Sequence, residues 1–168
     1  MLASLSLIGK NSFSQKKKSA TFNKSEAIEW LNNKMEDAKA TKINDTMSFS
    51  RPKFSSCSFC DTIEQVKFDI PEFKKIFTNT YTVSLGSLNP EALTLFIFED
   101  KFFYDVYTTN STKTILVYYN KPEEPQRLIA KVSKVRIGPF LKADNLVERV
   151  KSVLSKLIAN CGGKKDSF

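Results

Sequence analysis

The residues best suited to chemistry are the two cysteines of Cys57-Ser58-Phe59-Cys60. Their spacing is that of half a zinc site or of a dithiol couple. The third cysteine is Cys161, and the chain contains no histidine, so a zinc site would lack its second pair of ligands. A redox pair of this spacing needs a preceding apolar strand to present it at a helix start, and none is legible. Three cysteines cannot all pair with one another. The expectation is therefore no disulfide framework, two small partly buried thiols beside Phe54 and Phe59, and a reducing, intracellular setting.

The absence of histidine also removes Ser-His-Asp and Cys-His catalysis. Asp100 and Asp105 are the candidate carboxylates, one near a turn and one on a strand. Neither has a recognisable partner spacing, so both read as ordinary exposed acids. The five glycines are scattered, with only Gly162 and Gly163 adjacent, so no phosphate-cradling loop exists. No residue is therefore expected to be catalytic, cofactor-binding or metal-ligating, and no cofactor is expected. The expectation is a protein that is not an enzyme and has no small-molecule substrate.

Charge is the remaining signal. The net of +8 is unevenly placed: residues 1–24 hold five lysines and no acid, residues 25–120 ten basic and thirteen acidic groups, residues 121–168 eleven basic and five acidic. Lys16, Lys17 and Lys18 sit in a serine-rich tail. Lys121, Arg127, Lys131, Lys134, Arg136 and Lys142 gather around the last strand expected. Such groups suit phosphates of RNA or anionic lipid headgroups. Tyr104, Tyr107, Tyr118 and Tyr119 are candidates for stacking bases, although aromatics on neighbouring strands more often meet across the sheet. The acid-free start also has the composition of an organelle transit peptide, without the arginine of the mitochondrial kind.

The elements that must carry these groups follow from periodicity. Residues 1–23 read as a flexible basic tail. Asn23 with Glu26 makes a capping-box-like start, and Ile28, Leu31, Met35 and Ala38 recur at helical spacing beside Trp30, which predicts a helix over 25–40. Residues 41–60 lose all pattern and read as a linker, so 24–60 is helix plus linker and 61–163 a compact domain. Val66, Phe68 and Ile70 alternate as a strand, and Pro71 is expected to open a short helical turn through Phe77. Strands follow around Tyr81 to Leu85, Ala92 to Phe98, Phe102 to Thr108 and Thr114 to Tyr119, most simply as a meander. Arg127 to Ile137 reads as one long strand whose apolar face switches near Ser133, as at a bulge, and which Gly138-Pro139 ends. Asp144 is placed to cap an amphipathic helix carrying Leu146, Val147, Val150, Val153, Leu154, Leu157, Ile158 and Cys161. Residues 164–168 read as a loose end. The fold class is α+β: an antiparallel sheet of about five to six strands against a C-terminal amphipathic helix, plus the N-terminal helix. No run approaches the roughly 18 apolar residues of a membrane span.

The size, the basic arm at Lys16-Lys17-Lys18, the β-rich stretch from Val66 to Ile137 and the basic end from Lys121 onward are together similar to the small matrix proteins of negative-strand RNA viruses, in particular plant rhabdoviruses. This is a likeness of architecture over most of the chain, and no budding motif of the Pro-Pro-x-Tyr type occurs. The resemblance implies a structural protein of the virion, in host cytoplasm or at the membrane periphery, that contacts nucleocapsid or RNA and anionic membrane and associates with itself. Trp30 is the candidate for self-association. The alternatives are an RNA-binding regulator such as a silencing suppressor, and an organelle-targeted protein with a cleaved presequence.

Overall fold

Asn23 starts the first helix. Its Oδ1 accepts from the N–H groups of Ser25 and Glu26 at 3.1 and 3.3 Å, while its amide donates to Glu26 Oε1 at 2.7 Å. Two orphan amides are thereby satisfied, as a capping box does. The computed structural model describes residues 21–36, 40–43, 46–69, 72–143 and 145–166. The elements are α1 (Lys24–Glu36), β1 (Ala40–Ile43), β2 (Thr46–Ser55), β3 (Ser58–Asp69), β4 (Glu72–Ser84), β5 (Leu88–Phe98), β6 (Lys101–Thr108), β7 (Ile115–Asn120), β8 (Arg127–Val132), β9 (Lys134–Leu141) and α2 (Leu146–Asn160). The class is α+β.

Several local expectations are corrected. The linker expected over 41–60 is β1, β2 and the start of β3, so the expected boundary after Cys60 falls inside a strand. From Ser50 to Ser55 polar residues are tolerated because only alternate positions turn inward: Phe54 is buried while Arg51, Lys53 and Ser55 are exposed. Pro52 is accommodated because, among the described residues, β1 pairs no further along β2 than Phe49, so no strand on that side calls for an N–H at Pro52. The helical turn expected after Pro71 is part of β4, whose Phe73 stands opposite Phe68 of β3. The basic tail through Lys18, Ala38, and the expected cap Asp144 lie outside the described residues. Asn145 occupies the cap position of α2 with φ 60° and no side-chain cap bond.

The strands divide between two antiparallel sheets, ordered β1-β2-β3-β4-β7-β8 and β5-β6-β9. A simple meander is therefore not followed, because the chain crosses from sheet to sheet after β4, β6 and β8. The face switch expected near Ser133 is one of these crossings: β8 pairs with β7, and β9 pairs with β6. The β9 half buries Val135, Ile137 and Phe140, while β8 leaves Leu128 and Ile129 exposed. Gly138-Pro139 does not end the strand, which runs on to Leu141. A Cβ at Gly138, which has φ +140°, would lie 2.9 Å from Phe103 Cδ1, so the close approach of β6 and β9 requires glycine. Thr108 ties two crossings together: its N–H donates to the Ser133 carbonyl at 2.9 Å, and its one hydroxyl proton is shared between the Thr112 carbonyl at 2.6 Å and that of Ser133 at 3.2 Å.

The core lies where the three-stranded sheet meets the helices. Tyr104 stands opposite Ile137, and Leu93 and Val135 both stand opposite Val106, so these side chains share one face. Against it α2 buries Val150, Leu154, Leu157 and Ile158, each contributing about 2 kcal/mol by removal from water. From α1, Leu31 and Met35 join the same core. The Tyr104 hydroxyl donates to the Val147 carbonyl at 2.9 Å.

The cysteines depart from expectation. Cys57, in the turn between β2 and β3, forms a disulfide with Cys161 at the end of α2, with Cα atoms 5.4 Å apart, and Cys60 is the free thiol. The pairing links positions 104 apart, a separation across which spacing carries no information. Nor are residues 164–166 loose. Thr109 Oγ1 donates to the Lys164 carbonyl, the Asn110 N–H donates to Asp166, and Lys165 pairs with Glu91.

A cross-link closing a loop of this length stabilises by about 4 kcal/mol in the chain-entropy account. Serine at both Cys57 and Cys161 should therefore lower the urea midpoint by roughly 2 M. Thiol titration of the unreduced native chain should find one reactive group, from Cys60, rather than three.

Candidate binding cleft between the sheets

Alternation along β3 puts Phe59, Asp61 and Ile63 on one face. Register adds Tyr81 of β4 opposite Asp61, and Ser50 of β2 opposite Ile63. Phe59 reaches down into the core, while Asp61 and Ile63 border a cavity of about 730 Å³. The facing wall is the second side of the three-stranded sheet. Phe96 pairs with Phe103, and Asp105 with Arg136, so these residues point away from the helices that their neighbours pack upon. The chain crossing at Val132, Ser133 and Lys134 lines part of the cavity, as does Gly138-Pro139. The volume falls within the range of small-molecule sites, roughly 300–1,000 Å³.

The two acids of the cleft are held differently. Asp105 accepts from Arg136 Nε at 2.7 Å, from Arg136 Nη2 at 3.0 Å and from Lys134 Nζ at 3.1 Å. The Arg136 hydrogen bonds hold its carboxyl below the usual carboxylate range, against the opposing effect of burial. The same guanidinium lies 3.9 Å from the ring centroid of Phe96. Asp61, only 5% exposed, accepts from Ser50 Oγ at 2.9 and 3.0 Å to its two oxygens and from the Arg51 N–H at 3.1 Å. Burial pushes its pKa up to about 6 from an ordinary 3.8, and the bonds from Ser50 and Arg51 only partly oppose this. On the same face of β4, Asn79 stands opposite Ile63, and its Oδ1 is buried without a hydrogen-bond partner among the described residues.

The residues of the expected basic cluster are divided between the two sheets. Lys134 and Arg136 are on the cleft face, committed to Asp105. Lys121 pairs with Glu124 at 3.9 Å, and Arg127 lies over the Tyr119 ring at 5.6 Å. Lys131 is exposed on β8, and Lys142 is exposed beyond β9. The cause is the crossing at Ser133, which sends β8 and β9 into different sheets. Lys16, Lys17 and Lys18 lie outside the described residues. Trp30 is not an exposed anchor: it is half-buried against the core, 4.7 Å from the guanidinium of Arg149. Large apolar side chains are instead exposed on β5, at Leu95, Phe96, Ile97 and Phe98, on β8, at Leu128 and Ile129, and at Leu141 of β9, with Ile97 at 48% and Ile129 at 51%. Of the tyrosines, Tyr104 is buried and Tyr119 meets Phe77 at 5.5 Å.

Asp100 lies in the β5–β6 turn, where its carbonyl accepts from the Lys142 N–H at 2.7 Å. Asp61 was missed from sequence, although an acid between Phe59 and Ile63 on one face of a strand is a legible anomaly. Reading 41–60 as a linker hid the strand that begins at Ser58. Among the described residues no group of three or more potential ligands could hold a metal ion, and no helix is long and apolar enough to cross a membrane. Comparison with protein-family models, with curated proteins and with solved structures finds no match to this chain.

The raised carboxyl makes a pH prediction. The folded protein holds the Asp61 proton where the unfolded chain has released it, so stability falls as pH rises through about 4 to 6, by roughly 2–3 kcal/mol. Asp105 acts in the opposite sense and lower, losing its contribution as pH falls below about 4. Urea midpoints of the wild type and Asp61→Asn from pH 4 to 7.5 should diverge upward in favour of the variant. Parallel curves would refute the assignment.

Proposed function

We propose that the protein is a non-enzymatic binding protein whose intersheet cleft takes up a small, largely apolar molecule. The carrying observation is the cavity itself. Two sheets that face each other ordinarily fill the intervening layer with their own side chains. Here Ile63, Phe96, Phe98, Phe103, Val132 and Pro139 line about 730 Å³ of space instead. Mostly apolar walls with a few convergent polar groups are the ordinary make-up of a ligand site.

This keeps the binding role expected from sequence and moves the ligand from a basic surface into the fold. A matrix-like contact with nucleocapsid, RNA or anionic membrane has less support, because four of the six cations expected near the last strand already have partners. The cysteine pair also bears on setting. An intracellular location was expected from unpaired thiols, whereas the Cys57 to Cys161 link suits a compartment that maintains disulfides.

A second reading, self-association, is favoured by β5. It is an edge strand of its sheet, and Ala92 to Phe98 carries no charge to discourage pairing with the same strand of a second copy.

An uncharged fluorescent probe such as N-phenyl-1-naphthylamine should bind saturably, with Kd on the order of 10 μM. Ile63→Trp, which fills the space, should weaken it at least tenfold without lowering the urea midpoint. Lack of saturable binding would refute the cleft reading. For self-association, sedimentation at tens of micromolar should show a dimer that Ile97→Lys converts to monomer, and a monomeric wild type would exclude it.

A further inference from the structure

We propose that the molecule the cleft accepts is an amphipathic primary amine, its ammonium group donating to Asp61 and its apolar body lying against Phe96, Phe98 and Phe103. The inference rests on the reading of the cleft as a binding site and adds the chemical class of its ligand.

The two walls hold their acids unequally. Asp105 has a bidentate guanidinium and an ammonium as counter-charges. Asp61, opposite it and 5% exposed, has none among the described residues, and its hydrogen bonds come from neutral donors alone. A carboxylate withdrawn from water without a counter-charge is unfavourable, and a cation brought to it relieves that cost. Two of the three contacts use Oδ1 and one uses Oδ2. Since a carboxylate oxygen accepts from more than one donor, Oδ2 has capacity for an N–H.

The other groups of the cleft agree with a donor-bearing cation. The Ser50 and Tyr81 oxygens border the cavity beside Asp61 and can accept as well. A primary ammonium carries three N–H donors, enough to serve more than one acceptor. Phenyl rings at Phe98 and Phe103, with the Tyr81 ring, offer faces that attract positive charge as well as an alkyl chain. An anionic headgroup fits less well. The cations it would seek, Lys134 and Arg136, are already engaged by Asp105, and it would stand in the same cavity as two carboxylates. A neutral headgroup would leave the Asp61 charge uncompensated.

Competition against N-phenyl-1-naphthylamine at pH 7.5, on the full chain, tests this with three chains of equal length: decylamine, decanol and decanoate. Decylamine should displace the probe at a concentration at least tenfold lower than either of the others. In Asp61→Asn the amine's advantage, read as the ratio of the displacing concentrations of decanol and decylamine on the same variant, should vanish. The ranking in the wild type needs no variant, so the inference stays testable even if Asp61→Asn folds poorly. Decylamine no better than decanol, decanoate binding tightest, or an advantage that survives Asp61→Asn would overturn the ligand class and leave the cleft reading intact. If neither the probe nor decanol binds, the cleft reading falls and this inference with it.

Discussion

The Ser133 carbonyl, held by the N–H of Thr108 and by a share of its hydroxyl proton, is the contact on which the arrangement of the two sheets turns. Thr108 is the last residue of β6, just before the chain leaves for β7. Ser133 is the residue at which β8 gives way to β9. Thr108 is 1% exposed, and its hydroxyl also meets the Thr112 carbonyl at 2.6 Å. Buried polar groups of this kind hold their geometry because losing a partner leaves them without water to replace it. Two of the three crossings are thereby joined at one corner, and the sheets diverge from it with the cleft between them.

From that corner the division of labour in the small sheet follows. A strand presents successive side chains to opposite faces, so β6 sends Phe102, Tyr104 and Val106 to the helices and Phe103 and Asp105 to the cleft. The helix side is filled and buried to the standard of a core. On the cleft side the polar groups are few, and their treatment is unequal: one acid neutralised by two cations, one acid held by neutral donors. Burial acts on both, yet hydrogen bonds from Arg136 win at Asp105 and desolvation wins at Asp61. The wall that carries Phe96 and Phe98 belongs to the exposed end of β5, whereas its other end buries Leu88 and Leu93, and β5 packs on α2.

Both helices could be recognised from the chain alone. Their signals are local: the Asn23 and Glu26 box, and the stripe from Val150 to Ile158 at steps of three and four. The α+β class, most of the strands from Tyr81 onward, and a change of face at Ser133 were legible for the same reason, since period-two alternation spans only neighbouring residues. What the change of face meant was not. A bulge and a transfer between sheets produce the same pattern along the chain, and only pairing partners far away in sequence distinguish them.

Tertiary structure decided everything that depends on which distant segments meet. It paired Cys57 with Cys161, placed Lys134 and Arg136 on Asp105 rather than on an open basic face, put Arg149 over Trp30, and made an interior wall of Asp61. Charge and cysteine counts are properties of composition, and they set the net of +8 and the odd thiol. Whether a cation is free to meet a ligand, or a carboxylate is deprived of its counter-charge, depends on distances of a few ångströms between residues tens of positions apart. Coulomb and desolvation energies vary steeply over such distances, and so the chemistry of the cleft belongs to the fold.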